Sequence, residues 1–319
     1  MDKNLLSLLA CPDCGSSDLN VISDSSLVCA SCKATYPVIN NVPQMLPSRL
    51  AKSLERKDEY TSKLMAATLE GKQSSDPANL ETDRLMWEHH LYDWGKEVIF
   101  TNAAAAEIFT LYAEKGARDL CRRLKDIAGG VSGKSLLYFG SGNDRLVALP
   151  LEAEGALMVN MDIVNESMQD LMNCGAKTCV CGDLRQLPFR SESFDVVFSK
   201  GSLHHSQPID EPLRAMVRVC KKRGQIVLVE PNKYMTLPRS RLPKGLAVPT
   251  PYEHHLSSRA IVKILKGNDV TDIHTEAFTH APPGMPKLAA HIWGWNGHAM
   301  PWLFKHFAFE FLVRGQKKI

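Results

Sequence analysis

Short apolar segments alternate with longer mixed segments from residue 134 onward, and the mixed segments are long enough for helices. Strands that are apolar throughout are typical of a parallel sheet that is buried on both faces, with helices as the crossovers. The pattern therefore predicts an α/β fold, a mostly parallel sheet with helices on both faces. The apolar segments are residues 135–139, 157–161, 194–198 and 225–229.

The flanking regions carry other patterns. Residues 83–128 have apolar positions at helical spacing, and Gly129-Gly130 ends that run. Residues 48–82 are polar and charged, and we interpret them as a linker with some helix that is mobile near residues 70–80. Beyond residue 232 the pattern predicts a helix at 257–266 and strands at 270–279 and 307–313.

Composition limits the classes of function. The 319 residues carry a formal net charge of +3 without a long basic tract, so charge gives no support for a nucleic-acid partner. The absence of a run of about 20 apolar residues argues against a membrane-spanning helix, and the apolar run at Leu5–Leu9 is too short for a secretion signal. We expect a cytoplasmic protein whose nine cysteines are metal ligands or free thiols. The sequence predicts no particular oligomeric state.

Four of the cysteines form two close pairs near the N-terminus. Cys11 and Cys14 make one C-x2-C pair, Cys29 and Cys32 make the other, and fourteen residues separate the pairs. Two such pairs supply four thiolates to a tetrahedral Zn²⁺, and four protein ligands leave no open position, so we predict a structural site. Thiol exchange is the alternative, because C-x-x-C also suits redox chemistry. Metal binding should supply on the order of 10 kcal/mol to the folding of so small a module.

Residues 5–46 around these cysteines resemble a known family. The resemblance rests on Leu8-Leu9-Ala10-Cys11-Pro12, the second cysteine pair, Tyr36-Pro37 and the segment from Asn41 to Leu46. The family consists of small zinc-binding proteins that act as activating partners of tRNA and translation-factor methyltransferases. The resemblance implies a zinc-binding module over residues 1–47 with a stabilising or docking role.

A second series of motifs begins at residue 136. Residues 136–144 read as a strand, a glycine-rich turn at Gly140-Ser141-Gly142 and the start of a helix. Asp162 ends the next strand about 20 residues later, where an acid can accept hydrogen bonds from both hydroxyls of a ribose. Asp183 follows a third strand, where it can accept a hydrogen bond from an adenine amino group. A nicotinamide enzyme would explain the glycine turn but not the later motifs.

As a set, residues 134–232 resemble class I S-adenosyl-L-methionine (SAM)-dependent methyltransferases, in particular the ubiquinone and menaquinone branch. The motifs that carry this resemblance are Gly140-Ser141-Gly142, Asp162, Asp183, Leu187-Pro188-Phe189, Ser193-Phe194-Asp195, Leu203-His204-His205, Val219–Gly224 and Glu230-Pro231-Asn232. The resemblance implies a Rossmann-like, seven-stranded, mostly parallel sheet within residues 83–319, closed by an antiparallel strand at residues 307–314. The predicted cofactor-binding residues are Tyr138, Gly140, Ser141, Gly142, Asn143, Asp162, Ile163, Asp183, Leu184 and Ser199.

The glycine turn departs from the pattern of this family at two positions. The family has an acid two residues before the first glycine and a third glycine four residues after it, where this chain has Tyr138 and Asp144. The acid normally helps to hold the methionine ammonium group. Either Asn143, Asp144 or the backbone near residues 199–201 takes over that role, or the methionine end binds differently, for chemistry other than methyl transfer.

Three residues are candidates for catalysis. His204 and His205 follow the fourth strand, at the sheet edge where ligands bind in open α/β folds, and one of them could be the general base. Shaping the wall of a loop is the alternative role for this pair. Tyr92 lies in the segment that often covers the cofactor in this family, and could close over the methyl donor or pack in a helix face.

The sequence favours a methyltransferase that uses SAM, acts on a small-molecule acceptor and releases S-adenosylhomocysteine. Residues 233–300 contain the insertions expected to form the acceptor pocket, including His254-His255 and the segment from His291 to His298. Three alternatives remain: a SAM-cleaving cyclase or lyase that releases methylthioadenosine, an RNA methyltransferase, and a non-catalytic SAM-binding subunit. The fourth strand runs into Phe198-Ser199-Lys200-Gly201 and lacks the Asn/Asp-Pro-Pro-Tyr/Phe motif of many exocyclic-amine methyltransferases.

Overall fold

A computed structural model of the chain describes residues 3–23, 25–55, 57–69, 76–101, 103–232, 254, 256–279 and 310–319. Within these residues the helices and strands follow the order that the sequence predicts, a small N-terminal module, a helical segment and an alternating α/β domain. The helices are α1 (Lys3–Leu8), α2 (Ser48–Leu54), α3 (Lys57–Leu69), α4 (Pro77–Thr101), α5 (Ala103–Ala128), α6 (Arg145–Ala153), α7 (Asn165–Asn173), α8 (Asp210–Val219) and α9 (Ser258–Lys266).

The described strands form one continuous eleven-stranded sheet. Its order along the sheet is β1-β2-β3-β4-β7-β6-β5-β8-β9-β11-β10. The strands are β1 (Leu19–Ser23), β2 (Ser26–Cys29), β3 (Thr35–Ile39), β4 (Val42–Met45), β5 (Ser135–Phe139), β6 (Leu157–Asp162), β7 (Cys179–Gly182), β8 (Phe194–Lys200), β9 (Cys220–Pro231), β10 (Val270–Thr279) and β11 (Glu310–Lys317).

Seven of these strands, β5 to β11, make up the predicted sheet of the α/β domain. The first five of them are parallel, and β11 lies antiparallel between β9 and β10. The predicted mostly parallel, seven-stranded sheet is therefore confirmed. Because β5 lies at the centre, its Leu136, Leu137, Tyr138 and Phe139 are all buried, which is why this strand reads as a continuous apolar run.

The N-terminal module extends this sheet instead of standing apart from it. Strand β4 pairs antiparallel with β3 on one side and parallel with β7 on the other, with Gln44 opposite Cys181 and Met45 opposite Gly182. Module side chains such as Tyr36 and Met45 belong to the same hydrophobic core as Val180 and Phe189 of the α/β domain. The sequence predicts the module itself, but not that it is joined to the domain through a shared sheet and core.

The segment between module and sheet is mainly helical. Helices α2 and α3 occupy most of the residues that we interpreted as a linker, and residues 70–75, within the region expected to be mobile, lie outside the described part. The helix predicted for residues 83–128 is present as α4 and α5, and Gly129 and Gly130 follow α5 with φ of 62° and 90°. Positive φ favours glycine, which explains why the helix ends there.

Two further expectations concern membrane-spanning helices and the acceptor pocket. Among the described residues no helix is long and apolar enough to cross a bilayer. The insertions expected to form an acceptor pocket fall almost entirely outside the described residues, as do His255 and the segment at residues 291–298. The role of these segments stays a prediction.

Candidate functional site

The four cysteines of the module come together as the sequence predicts. Their sulfur atoms all lie within 4.8 Å of one another, and the Sγ atoms of Cys11 and Cys32 and of Cys14 and Cys29 are each 3.6 Å apart. Four thiolates at these separations fit a tetrahedral Zn²⁺ with bonds of about 2.3 Å. The donor set is the one preferred by structural zinc sites, and it supports the structural assignment.

Both cysteine pairs have the same local turn. The backbone N–H of Gly15 donates to the carbonyl of Cys11, and that of Lys33 donates to the carbonyl of Cys29. Gly15 and Lys33 both have positive φ, 74° and 65°, which turns the chain back beneath the two sulfur atoms of each pair. Two matching turns therefore present four sulfur atoms to one point.

The carboxyl ends of the central strands meet in a small cleft. Five predicted site residues line it: Gly140, Asp162, Ile163, Leu184 and His205. Strands β5, β6, β7 and β8 are parallel neighbours, so the loops that follow them converge at this edge. The remaining lining residues are Arg84, Glu88, Met161, Gly182 and Ser202.

Asp162 is positioned to accept hydrogen bonds from the hydroxyl groups of a ligand. Its two carboxylate oxygens accept hydrogen bonds from the backbone N–H groups of Gly142 and Val164, at 2.9 and 3.0 Å. Burial raises the pKa of Asp162 from its ordinary value, while these N–H groups oppose that rise. Each oxygen keeps further lone-pair capacity, so the carboxylate fits the predicted contact with ribose hydroxyls.

The glycine turn packs tightly against the loop that follows β8. Gly140 has φ of 60°, and a Cβ at this position would lie 2.2 Å from Oγ of Ser202. The same Ser202 hydroxyl is 2.5 Å from that of Ser199, which is fully buried at the end of β8. Gly140 thus allows the β5 and β8 loops to approach each other at the floor of the cleft.

The two departures from the family pattern form a direct contact. The hydroxyl of Tyr138 donates to Oδ2 of Asp144 at 3.0 Å, and the ammonium group of Lys200 lies 3.7 Å from the same oxygen. Tyr138 is buried and stacks on Phe198, and burial together with Asp144 raises its pKa well above the ordinary value. Tyr138 therefore remains protonated, and a carboxylate stands beside the position that the family acid would occupy.

Asp183 is held by two arginines. Its Oδ2 accepts hydrogen bonds from Arg84 at 2.7 Å and from Arg185 at 2.8 Å, and Oδ1 accepts one from the backbone N–H of Arg185 at 2.9 Å. Although Asp183 is buried, these two guanidinium groups hold its pKa well below the ordinary value. The predicted adenine contact of Asp183 stays a prediction, and these three donors occupy the oxygens on which it would depend.

His204 is oriented by a buried acid. Its Nδ1 lies 2.8 Å from Oε2 of Glu230, which is fully buried and also accepts hydrogen bonds from the backbone N–H of Leu203 and, at 3.3 Å, from those of Ser202 and His204. Because Glu230 serves as the acceptor for these backbone donors, Nδ1 of His204 is assigned as its fourth donor. This tautomer places the basic lone pair of His204 on Nε2.

His205 and Glu88 both line the cleft and lie close to each other. Nδ1 of His205 is 3.7 Å from Oε1 of Glu88. Burial lowers the pKa of His205 well below its ordinary value, and the neighbouring His204 and Arg84 lower it further, so its imidazole is neutral at pH 7. Burial raises the pKa of Glu88 to about 7, with Asp162 adding to the rise and Arg84 opposing it.

Tyr92 lies one helical turn beyond Glu88 on α4, but it is not among the residues that line the described cleft. Its hydroxyl donates to Asp170 of α7, and its ring is next to the ammonium group of Lys96. The structure thus brings Arg84 and Glu88 of α4 to the cleft, while Tyr92 contacts α7. Its proposed role above the methyl donor stays a prediction.

Sequence reasoning missed Arg84 and Glu88, and it named Glu230 within a motif without giving it a role in the site. Arg84 and Glu88 are four residues apart in a helix whose Leu85, Met86 and Trp87 are buried. Two charged residues at this spacing on a buried helix are a signal that could have been read, because buried charges are paired or functional. Glu230 ends β9 in an otherwise apolar run, which is the same kind of signal.

Comparison with known proteins gives two matches to family models. A model described as "Methyltransferase domain" matches residues 137–228, and one described as "Trm112p-like protein" matches residues 2–41. The UPF0434 protein of Nitrosococcus oceani is 46% identical over 46 residues, which are 14% of this chain and 78% of that protein. The UPF0434 protein of Coxiella burnetii is 36% identical over 56 residues, which are 18% of this chain and 100% of that protein.

Among solved structures, a SAM-dependent methyltransferase from Thermotoga maritima, described as a possible histamine N-methyltransferase, is similar with a TM-score of 0.50 and 13% identity. The similarity covers 70% of this chain and 100% of that one. At this level of identity it is a similarity of fold. The matches do not separate the ubiquinone and menaquinone branch from other methyltransferases, and that finer resemblance stays a prediction.

Proposed function

Because the chain belongs to the SAM-dependent methyltransferases and carries a Trm112-like module of the UPF0434 type at its N-terminus, we propose that it methylates a small-molecule acceptor. The cleft at the carboxyl ends of β5 to β8 is the observation that carries this proposal. It combines the predicted cofactor-binding residues Gly140, Asp162 and Ile163 with His205 in one space.

His204, which directly precedes the cleft residue His205 but is not itself among the residues that line the described cleft, is the general base in this proposal. SAM, when bound, supplies a methyl group on a positively charged sulfur, so the protein has to position the acceptor and take up its proton. Glu230 fixes the ring of His204 and stabilises the charge that develops when Nε2 takes a proton. The acceptor atom forms its bond to the methyl carbon, and the electrons of the broken carbon–sulfur bond remain on sulfur.

The SAM-cleaving alternative rests on Tyr138, which replaces the acid of the family. The hydrogen bond from Tyr138 to Asp144 weakens that argument, because it keeps a carboxylate at the turn that can accept the methionine ammonium group. Methyl transfer is therefore the favoured use of SAM. An RNA acceptor has less support, since neither net charge nor the residues after β8 favour it.

The decisive experiment is mass spectrometry of the purified chain incubated with SAM in three ways: alone, with the small-molecule fraction of a cell extract, and with total RNA. We expect S-adenosylhomocysteine only with the small-molecule fraction. Methylthioadenosine formed from SAM alone would instead support the cyclase or lyase. S-adenosylhomocysteine formed only with RNA would support an RNA methyltransferase, and SAM binding without turnover would support a non-catalytic subunit.

A matched pair of variants tests the base. We expect His204→Gln to lower the rate of S-adenosylhomocysteine formation by about 100-fold or more, the usual contribution of a general base, with little change in SAM affinity. His274→Gln is the control, because His274 is exposed on β10 away from the cleft. Equal activity of the two variants would contradict the role of His204.

A further inference from the structure

Three buried polar atoms belong to residues that line the same cleft and have no hydrogen-bond partner among the described residues, although two of them, on Glu88 and His205, lie 3.7 Å from each other. They are Nε of Arg84, Oε1 of Glu88 and Nδ1 of His205. An unpaired buried polar atom costs about 1–3 kcal/mol, so folded proteins rarely leave one unpaired without a reason. Three of them around one cavity indicate a site that is completed by the polar groups of a ligand.

The three atoms offer a mixed pattern of donor and acceptor. Nε of Arg84 can only donate, the carboxylate of Glu88 accepts, and Nδ1 of His205 does either according to its tautomer. A ligand that satisfies them must itself carry both donors and acceptors in a small space. Adenosine does so, through its two ribose hydroxyls and through the amino group and ring nitrogens of adenine.

The surrounding residues favour the adenosine half of the cofactor over an acceptor molecule. Arg84 and Glu88 share the cleft with Asp162, where the ribose is expected, and with Ile163 and Leu184, whose buried side chains can flank a flat base. Asp183 accepts hydrogen bonds from Arg84 and Arg185, so the amino group of adenine needs another acceptor. Glu88 is the acid in the cleft whose Oε1 accepts no hydrogen bond from the described residues, its contact with Nδ1 of His205 being 3.7 Å long.

Helix α4 is held firmly enough to serve this purpose. Leu85, Met86 and Trp87 are buried in the core between α4, α7 and the module, and the ion pair from Arg84 to Asp183 ties the helix to the end of β7. The backbone that carries Glu88 is therefore fixed before a ligand arrives, and little conformational entropy is lost on binding.

We propose that Arg84, Glu88 and His205 form a recognition site for the adenosine half of SAM, so that α4 contributes two residues to the cofactor site. This inference rests on the proposed function, because it assumes that SAM is the ligand. It assigns to α4 a specificity role in which Glu88, and not Asp183, accepts the hydrogen bond of the adenine amino group, while Asp162 accepts those of the ribose.

Isothermal titration calorimetry of the full chain with S-adenosylhomocysteine, SAM and methylthioadenosine tests this assignment. We expect Glu88→Gln to weaken the binding of all three ligands by a similar factor of about 10 or more, as for a lost hydrogen bond to a charged group. Methylthioadenosine lacks the amino-acid end, so an equal loss for this ligand places the contact on adenosine. Glu114→Gln is the matched control, because Glu114 pairs with Arg118 on the surface of α5.

The other outcomes are distinct. Unchanged affinities for all three ligands in Glu88→Gln would overturn the assignment, and so would a loss confined to SAM, which would place Glu88 beside the sulfonium. Wild-type protein that binds none of the three would instead refute the proposed function. If Glu88→Gln does not fold, Glu88→Asp, which keeps the charge but is one methylene shorter, should show the same equal loss, and unchanged binding by it would count against the proposal.

Discussion

At the scale of single residues, Glu88 is proposed to bind the cofactor, but its buried charge lowers the unfolding free energy. Glu88 is held near Asp162 and away from water, and burial raises its pKa to about 7. The ordinary pKa of a glutamate is about 4.3, so the folded chain binds more protons than the unfolded chain between about pH 4 and pH 7. The unfolding free energy therefore falls as pH rises through this window, and above pH 7 the charged Glu88 opposes folding in full.

This cost predicts that removing the charge stabilises the protein. At one pKa unit per 1.36 kcal/mol, Glu88→Gln should raise the unfolding free energy by up to about 4 kcal/mol at pH 8 and by only about 1 kcal/mol near pH 5. Chemical denaturation of both proteins at the two pH values measures the difference. A variant that is less stable than the wild type at pH 8 would show that Glu88 is not desolvated.

The site roles of residues in recognisable motifs could be predicted from the sequence. The site roles of residues that reach the cleft only through tertiary packing could not. Gly140, Asp162 and the four cysteines carry their roles in their spacing along the chain. The spacing of Arg84 and Glu88 marks a pair of charges on one face of a helix, but it does not tell that this face meets the cleft. That face is set by packing against residues far away in sequence, and local pattern does not contain it.

At the scale of elements, the pairing of β4 with β7 links the zinc centre to the cleft. Met45 lies opposite Gly182, and Gly182 and Leu184 line the cleft directly after that pairing. The strands of the α/β domain could be predicted because each is apolar along its length. Their pairing with the module could not, because strand partners distant in sequence leave no local signature.

Loss of zinc should therefore weaken ligand binding at the cofactor site. We expect Cys14→Ser, or removal of zinc by a strong chelator, to weaken S-adenosylhomocysteine binding by about tenfold or more, since metal binding supplies much of the folding energy of a small zinc module. Metal analysis and calorimetry measure the two effects together. Cys174→Ser is the control, because Cys174 is an exposed cysteine outside the metal cluster; equal binding by both variants would exclude the coupling.

At the scale of the whole molecule, module and domain share one core. Arg190 of the domain donates to the carbonyls of Leu9 and Ser17, its backbone N–H donates to Leu8, and the N–H of Ala10 donates to Pro188. The division into a module at residues 1–47, a linker at 48–82 and a catalytic domain at 83–319 stays a prediction from the sequence. In energetic terms these contacts favour a single cooperative unit.

A single unit should unfold in a single step. We expect zinc release, followed with a chromogenic chelator, to coincide with the loss of far-ultraviolet circular dichroism along a urea titration. Release of zinc at a clearly lower urea concentration than the loss of helical signal would mean that the module melts on its own. Arg190→Ala, which removes the guanidinium contacts across the boundary, should separate the two midpoints.

The shared sheet also has a consequence for how the chain is made. During synthesis β4 leaves the ribosome well before β7, so the edge of β4 stays unpaired until the first three strands of the α/β domain, β5 to β7, have emerged. An edge in that condition can accept β7 from a neighbouring nascent chain as readily as its own. Crowded expression should therefore yield dimers in which two chains have exchanged their N-terminal modules.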